Sequence, residues 1–182
     1  MCLWDIGRIG ENMAIKIVWF KGVKKTERGL LPFGPAMLHE EGPYAKEGKH
    51  PHPIIVVVIK NKNNAVLLQR RSKLVTSPGK LDFSAAGHID YGETVEEAAI
   101  RETREELGTG IRNLRLLTEK GVHLSDKIHI HFIVEAELIG KIKPGPEVDP
   151  DGTRFYPLDE IAELIKTDIV KTGVKNYFRK IL

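Results

Sequence analysis

The chain has 182 residues, of which 41% are hydrophobic and 29% charged, and its formal net charge at pH 7 is +3. This composition excludes a disordered chain, and the length suits one well-buried domain but is short for two. A single cysteine, Cys2, excludes an internal disulfide and the paired cysteines of a zinc finger, and it fits a reducing, cytoplasmic setting.

The N-terminal part precedes the region in which motifs are found. Short apolar runs at 14–20 and 30–38 predict a β-hairpin, and a polar loop rich in Pro, Gly and His follows at 39–53. We expect one domain over 1–182, with 1–38 as an N-terminal extension and 52–182 as the catalytic core. Such a hairpin could support a homodimer.

The next segments predict strands that lead into a helix. An apolar, β-branched run at 54–60 predicts a buried strand, and it is far too short to cross a bilayer, so no membrane segment is expected. A turn at 61–64 precedes a strand at 65–69. The turn at Pro78-Gly79 then introduces a strand at 81–86.

A helix is predicted from Val95 to about Leu107. Thr94 and Glu97 have the spacing of a capping box, in which each residue satisfies a backbone N–H of the other. Gly108 is suited to the left-handed conformation that ends helices.

The remaining elements complete an α/β pattern. We predict strands at 114–120, 127–138 and 154–156. A long loop at 140–153 could overhang a site. Two amphipathic helices are predicted at 158–166 and 169–181. Strands followed by helices, with one helix embedded between strands, indicate an α/β/α sandwich around a mixed β-sheet.

Three carboxylates of the predicted helix share one face. Glu102, Glu105 and Glu106 stand at i, i+3 and i+4 and span an arc of roughly 100°. They would repel one another unless a cation lies among them, and oxygen-only ligands suit hard ions such as Mg²⁺, whose natural companion is a polyphosphate. The alternative interpretation is an ordinary solvated acidic face. The fixed spacing of Gly87 and Glu93 to the helix argues against it.

Residues 87–109 resemble the Nudix box, G-x5-E-x7-R-E-U-x-E-E-x-G-U, where U is a bulky aliphatic residue. Thr103 and Thr109 occupy the two U positions, and Ile111 is the candidate to replace the second aliphatic contact. Every other fixed position is filled: Gly87, Glu93, Arg101, Glu102, Glu105, Glu106 and Gly108. The resemblance implies the Nudix fold and a pyrophosphatase that acts on acid anhydrides.

The resemblance also implies a metal site and a mechanism. One to three Mg²⁺ or Mn²⁺ ions would be held by Glu102, Glu105, Glu106 and the Gly87 carbonyl, and would activate a water for attack on a phosphorus. Glu105 or Glu102 is the candidate to accept the proton of that water. Many members carry this base outside the box, where the present chain has two acids in a later loop that also reads as simply solvated, Glu147 and Asp149.

Residues 69–73, QRRSK, resemble a segment of Nudix proteins close to the isopentenyl diphosphate isomerases. That resemblance makes Arg71 the first candidate for binding a phosphate and Lys73 the second, with Lys80 as a further possibility. A basic, solvated strand end explains them equally well.

An isomerase-like function is the main alternative. His52 and His88 stand where isomerases place metal-ligating histidines, yet Ala86 replaces their catalytic cysteine and the Nudix box is complete. The strand after the helix carries His129 and His131 where isomerases have glutamates, and we interpret both as polar residues on an exposed or half-exposed sheet face. These departures favour hydrolysis over isomerisation.

The expected partner is a small organic diphosphate, such as a nucleoside diphosphate linked to another group. A non-catalytic module that binds nucleotide diphosphates is a second alternative, although such modules usually lose box carboxylates. Nucleic acid is not expected as a partner, apart from capped or triphosphate RNA ends, and the box leaves the identity of the substrate open.

Overall fold

The computed structural model describes residues 52–90, 93–118, 122, 124 and 129–182. The predicted N-terminal hairpin at 14–20 and 30–38 and nearly all of the loop at 39–53 lie outside these residues. Among the helices that are described, none is long and apolar enough to cross a membrane.

Seven strands and three helices make up the described part of the chain. In chain order they are β1 His52–Ile59, β2 Val66–Arg71, β3 Leu81–Asp82, β4 Ala85–His88, α1 Val95–Leu107, β5 Ile111–Leu116, β6 His129–Leu138, β7 Val148–Tyr156, α2 Leu158–Leu164 and α3 Thr172–Ile181. Four strands form one sheet in the order β4-β1-β6-β5, and three form a second in the order β3-β2-β7. Only the β1–β6 pair is parallel among these strand pairs, so the sheet is mixed and the predicted α/β class is confirmed.

Both faces of β1 are covered, which explains its unbroken apolar sequence. Ile55 and Val57 belong to the core that includes Ala98, Ala99 and Leu107 of α1. Val56 and Val58 face the opposite way, into a core built with the side chains of α2 and α3, among them Ile161 and Phe178. The sheet is therefore sandwiched between helices, and α1 lies alone on its own side among the described helices.

A buried serine connects the two sheets. The predicted strand at 81–86 is divided into β3 and β4, and Ser84 lies in the break, fully buried. Its Oγ accepts a hydrogen bond from Ile59 N at 2.8 Å and donates one to Leu67 O at 2.6 Å. The hydroxyl thus satisfies one backbone group of β1 and one of β2 at the point where these strands separate.

Two strands begin earlier than the sequence predicts. β5 starts at Ile111, which is buried in the core beside α1, so the proposed replacement of the second aliphatic box position is confirmed. β7 starts at Val148, inside the segment predicted as a loop to 153. Pro150 and Gly152 hid this strand, whose pairing with β2 is interrupted between Leu68 and Arg70.

Candidate functional site

Helix α1 begins and ends as predicted. Thr94 Oγ1 accepts a hydrogen bond from Glu97 N at 3.1 Å, and Glu97 Oε2 accepts one from Thr94 N at 2.8 Å, which completes the capping box. Gly108 has φ 61° and ends the helix in the left-handed region. Both ends being fixed, the rotation of the helix about its axis, and hence the direction of its acidic face, is fixed as well.

The loop before β7 closes the C-terminal end of α1. Lys143 N donates a hydrogen bond to Leu107 O at 2.8 Å, and Gly145 N donates one to Glu106 O at 2.8 Å. A Cβ at position 145 would overlap the carbonyl oxygen of Glu105, so only glycine permits this approach. Carbonyls that a helix end normally leaves to water are therefore satisfied by the protein.

Glu106 is the most enclosed carboxylate of the helix. Its residue is 7% exposed, and its Oε2 accepts hydrogen bonds from Gln69 Nε2 at 2.8 Å and Ala86 N at 3.0 Å. Burial raises the pKa of this carboxyl to about 8, because the two hydrogen bonds do not replace the lost hydration. No lysine or arginine is hydrogen-bonded to it within the described chain.

Glu102 lies against the glycine that opens the box. A Cβ at position 87 would overlap the Glu102 carboxylate, so Gly87 allows this carboxylate to reach the backbone of β4. Glu102 Oε1 accepts a hydrogen bond from Arg101 Nη1 at 2.6 Å. Burial nevertheless raises the pKa of Glu102, since the lost hydration outweighs the attraction of Arg101.

Arg101 ties the acidic cluster together. Its Nε donates a hydrogen bond to Glu93 at 2.8 Å, and its Nη2 donates one to the His88 carbonyl at 2.8 Å. Its Nη1 donates to Glu102 at 2.6 Å and to Glu105 at 3.3 Å. The hydrogen bond with Glu93 is the main reason that the pKa of Arg101 is raised. Arg101 therefore holds the carboxylates of Glu93, Glu102 and Glu105 close together.

The three helix carboxylates are not equivalent. The Glu105 side chain is 59% exposed, whereas Glu102 and Glu106 are buried against the neighbouring β4 residues Gly87 and Ala86. Among the described side chains, no three Asp, Glu, His or Cys groups converge as a ready-made metal cage. The chemistry of the donors still fits a hard divalent cation, because both groups offer only oxygen, burial raises the pKa of both, and only Glu102 has a basic partner among the described residues.

A second polar group adjoins Gln69, and the sequence did not indicate it. Asp82 pairs with Gln69 across β2 and β3, and its buried carboxylate accepts hydrogen bonds from Arg71 Nη1 at 2.9 Å and Lys171 Nζ at 2.7 Å. Arg71 Nε also donates to the Thr76 carbonyl at 2.6 Å. The first phosphate candidate is thus partly engaged in holding the loop after β2, and Lys171 is a cation at the same place.

The other candidate side chains, those of Lys73, Glu147 and Asp149, are exposed or half-buried. Lys73 is exposed in the turn after β2, and Glu147 is exposed before β7, with its carbonyl accepting from Ser72 N at 2.9 Å. Asp149 is half-buried, and its Oδ1 accepts from Asp151 N at 2.9 Å. No hydrogen bond or ion pair among the described residues joins these three side chains to the helix carboxylates.

Three histidines form a row on the sheet. The rings of His88 and His129 are 5.7 Å apart, and those of His129 and His131 are 6.3 Å apart. His131 is buried, with its Nδ1 3.1 Å from Val122 O, so the expectation of an exposed or half-exposed position is wrong for this residue. The cause is that the backbone of Val122 pairs with His131 and covers it. Burial, followed by the neighbouring His129, lowers the pKa of His88.

A polar cleft of about 540 Å³ opens at the other end of β1, beyond the turn into β2. Lys60, Arg112, Glu135 and Glu137 line it together with asparagines. Here each acid has a basic partner, since Lys60 and Arg115 pair with Glu135 and Arg112 pairs with Glu137. The sequence pattern gave no sign of this cleft.

Comparisons with known proteins agree with the geometry. The sequence profile of the NUDIX domain matches residues 50–175. The NAD-capped RNA hydrolase NudC of Pseudomonas aeruginosa is 28% identical over 120 residues, which cover 64% of this chain and 41% of that protein. The ADP compounds hydrolase NudE of Escherichia coli is 31% identical over 114 residues, covering 61% and 60% respectively.

The chain thus spans about half the length of the curated relatives it matches. Among solved structures, the DR0079 protein of Deinococcus radiodurans superimposes with a TM-score of 0.61 at 20% identity, over 85% of this chain and 94% of that one. At 20% identity this likeness concerns the fold.

Proposed function

The chain belongs to the Nudix family, and from this premise we propose that it is a metal-dependent hydrolase that cleaves the diphosphate bridge of a nucleotide linked to a second group. The observation that carries the proposal is the buried pair Glu102 and Glu106, which lie against the adjacent residues Gly87 and Ala86 of β4 and whose pKa values burial raises. Glu106 has no basic partner among the described residues, unlike the acids at the polar cleft, and the ion pair with Arg101 leaves the pKa of Glu102 raised.

We propose Mg²⁺ or Mn²⁺ as the metal, held by Glu102, Glu105, Glu106 and the Gly87 carbonyl. When bound, the ion would neutralise phosphate charge and lower the pKa of a water. The difference in exposure among the acids suits a division of roles: Glu102 and Glu106 are fixed by their contacts, whereas Glu105 is open to solvent.

The protein's own groups would orient the substrate and move the proton. Glu105 is the first candidate to accept a proton from the attacking water, because it is exposed beside the buried acids and Arg101 touches it only at 3.3 Å. Glu102 is the second candidate. Arg71 and Lys73 remain the proposed diphosphate-binding residues, and Asp82 would steady the Arg71 guanidinium through Nη1.

The proposed substrate class is an adenosine diphosphate joined to another moiety. The activities for which NudC and NudE are named, on NAD-capped RNA and on ADP compounds, share that chemistry and support it. Ala86 supports hydrolysis over isomerisation, because a methyl group offers no proton to transfer where isomerases have a cysteine.

A turnover screen tests the proposal. Purified full-length chain is incubated with ADP-ribose, dinucleotides, sugar nucleotides, oxidised nucleotides, capped RNA and isopentenyl diphosphate, in Mg²⁺, Mn²⁺ or EDTA, and products are separated by chromatography. We expect nucleoside monophosphate from at least one ADP-linked compound, only with metal, and loss of this activity in Glu102→Gln.

Three outcomes of the screen would count against hydrolysis. Isomerised isopentenyl diphosphate without phosphate release would favour the isomerase alternative. Tight nucleotide binding with no turnover across the panel would favour a binding module. Turnover that persists in EDTA would contradict the metal requirement. Glu135→Gln, which alters a carboxylate at the polar cleft, is the matched control and should retain the activity of the unaltered chain.

A further inference from the structure

Gln69 contributes a buried oxygen that nothing in the described structure satisfies. The residue lies in β2 and is 2% exposed. Its Nε2 donates to Glu106 Oε2 at 2.8 Å, while its Oε1 accepts no hydrogen bond among the described residues. An unsatisfied buried acceptor costs about 1–3 kcal/mol, so a protein retains one where a further partner satisfies it.

The orientation of the amide follows from its neighbour. Turning it over would place Gln69 Oε1 against Glu106 Oε2, and two acceptors would then face each other. Ala86 N donates to the same Glu106 oxygen. Two donors therefore hold Oε2 of Glu106, and its other oxygen is left for a different partner.

The backbone around Gln69 is irregular on one side and firmly held on the other. Pairing between β2 and β7 shifts between Leu68 and Arg70, so Gln69 lies at the interruption. On its other side Gln69 pairs with Asp82, which Arg71 and Lys171 fix in place. The side chain is thus rigidly placed next to Glu106, as a group that orients a metal ligand must be.

We propose that Gln69 is a positioning residue for the cation of the proposed hydrolase. Its N–H group holds Oε2 of Glu106, which would leave the second carboxylate oxygen for the ion, and its own Oε1 would accept a hydrogen bond from a water bound to that ion. Mg²⁺ keeps several of its waters when bound to protein, so such donors accompany it. This inference rests on the proposed metal-dependent function.

The test compares Gln69→Met with Leu67→Met. Both variants place an unbranched thioether on the same face of β2, but only the first removes the amide, and Leu67 belongs to the apolar core. Mn²⁺ affinity is measured from the free-ion signal in electron paramagnetic resonance, and folding in EDTA by circular dichroism. We expect the dissociation constant of Gln69→Met to rise about 10–100-fold, and that of Leu67→Met to stay within about twofold of the unaltered chain.

The outcomes separate the inference from the function it rests on. A Gln69→Met protein that is folded and binds Mn²⁺ like the unaltered chain overturns the inference alone. An unaltered chain that binds no Mn²⁺ overturns the proposed function, and the inference with it. Lower thermal stability with unchanged affinity assigns Gln69 a purely structural role, which also overturns the inference.

A measurement on the unaltered chain covers the case in which Gln69→Met does not fold. Gln69 is the only glutamine in the sequence, so selective ¹⁵N labelling of glutamine side chains gives one amide pair. We expect this pair to shift with Mg²⁺ and to broaden with Mn²⁺. The side-chain amide of Asn176, which donates to the Leu124 carbonyl, serves as the internal control when asparagine is labelled. A glutamine signal that neither ion changes overturns the inference.

Discussion

Two regions of the molecule are rich in carboxylates, and their surroundings shift the pKa of a carboxylate in opposite directions. At the polar cleft, burial would raise the pKa of Glu135, but Lys60 and Arg115 outweigh it, and the pKa is lowered. At the acidic end of α1, burial dominates and the pKa of Glu106 is raised to about 8. The sign of the shift therefore distinguishes a carboxylate whose charge basic side chains compensate from one whose charge burial leaves uncompensated.

The largest expected contrast is in catalysis. Glu106→Gln keeps the shape of the side chain but removes its charge, so kcat/KM should fall on the order of 10³-fold, since a catalytic metal contributes several kcal/mol. Glu135→Gln should change kcat/KM by less than about twofold. Steady-state kinetics on the best substrate of the screen measure both. A Glu106→Gln protein with more than a tenth of the original activity would contradict the assigned role.

The next contrast is in stability as a function of pH, without metal. Because the pKa of Glu106 rises from 4.5 to about 8 on folding, the folded chain keeps a proton that the unfolded chain loses. The stability from this proton is complete below pH 4.5 and is lost as pH rises to about 8, on the order of 5 kcal/mol.

Glu106→Gln has no such titrating proton. As the pH rises from 5 to 8.5, the free energy of unfolding of the unaltered chain should therefore fall relative to that of Glu106→Gln. Urea unfolding in EDTA at the two pH values gives this difference. Glu135→Gln provides the comparison, because the pKa of Glu135 is shifted the other way. A difference between Glu106→Gln and the unaltered chain that does not change with pH would mean that Glu106 is ionised and already compensated.

A smaller effect is expected at the glycine beneath Glu102. Gly87→Ala would put a Cβ into the space of the Glu102 carboxylate and displace it, which should lower kcat/KM about 10–100-fold. Gly110→Ala is the matched control, because its Cβ would meet only Ile139 at an ordinary 3.7 Å. Equal activities of the two variants would show that the close approach of Glu102 to the backbone is not needed.

The smallest effect is expected at the polar cleft, where the acids already have basic partners. Arg112→Ala breaks an exposed ion pair with Glu137, and the free energy of unfolding should fall by only about 0.2–1 kcal/mol, less at high salt. Activity should not change. A loss of turnover in this variant would assign the polar cleft a part in substrate binding and weaken the contrast between the two regions.

Local signals determined what the sequence could predict. The ends of α1 were predictable because Thr94, Glu97 and Gly108 act within one turn of the helix. Ser84, Gln69 and Lys171 were not, because the partners of their side chains lie 17, 37 and 89 residues away along the chain. Such contacts depend on which strands become neighbours, and no periodicity encodes that.

Some predictions concern residues or roles on which the structure gives no answer. The arrangement of 1–182 as a single domain, with 1–38 as an extension that supports a homodimer, stays a prediction, as do the phosphate-binding roles of Arg71 and Lys73. The misplaced start of β7 has a plain cause: proline and glycine are typical of loops, and here Asp149 to Thr153 form the irregular part of a strand.

The hydrogen bonds from Lys143 and Gly145 to the last turn of α1 make the length of one surface segment matter to chemistry. Helix ends usually fray, and a frayed end would let Glu106 wander. Here the loop holds the helix end through these two hydrogen bonds. Inserting or deleting a residue between 140 and 147 should therefore make the Glu106 carboxylate more mobile while leaving the core intact. Surface loops are ordinarily the safest places to graft new sequence, and in this protein that one is not.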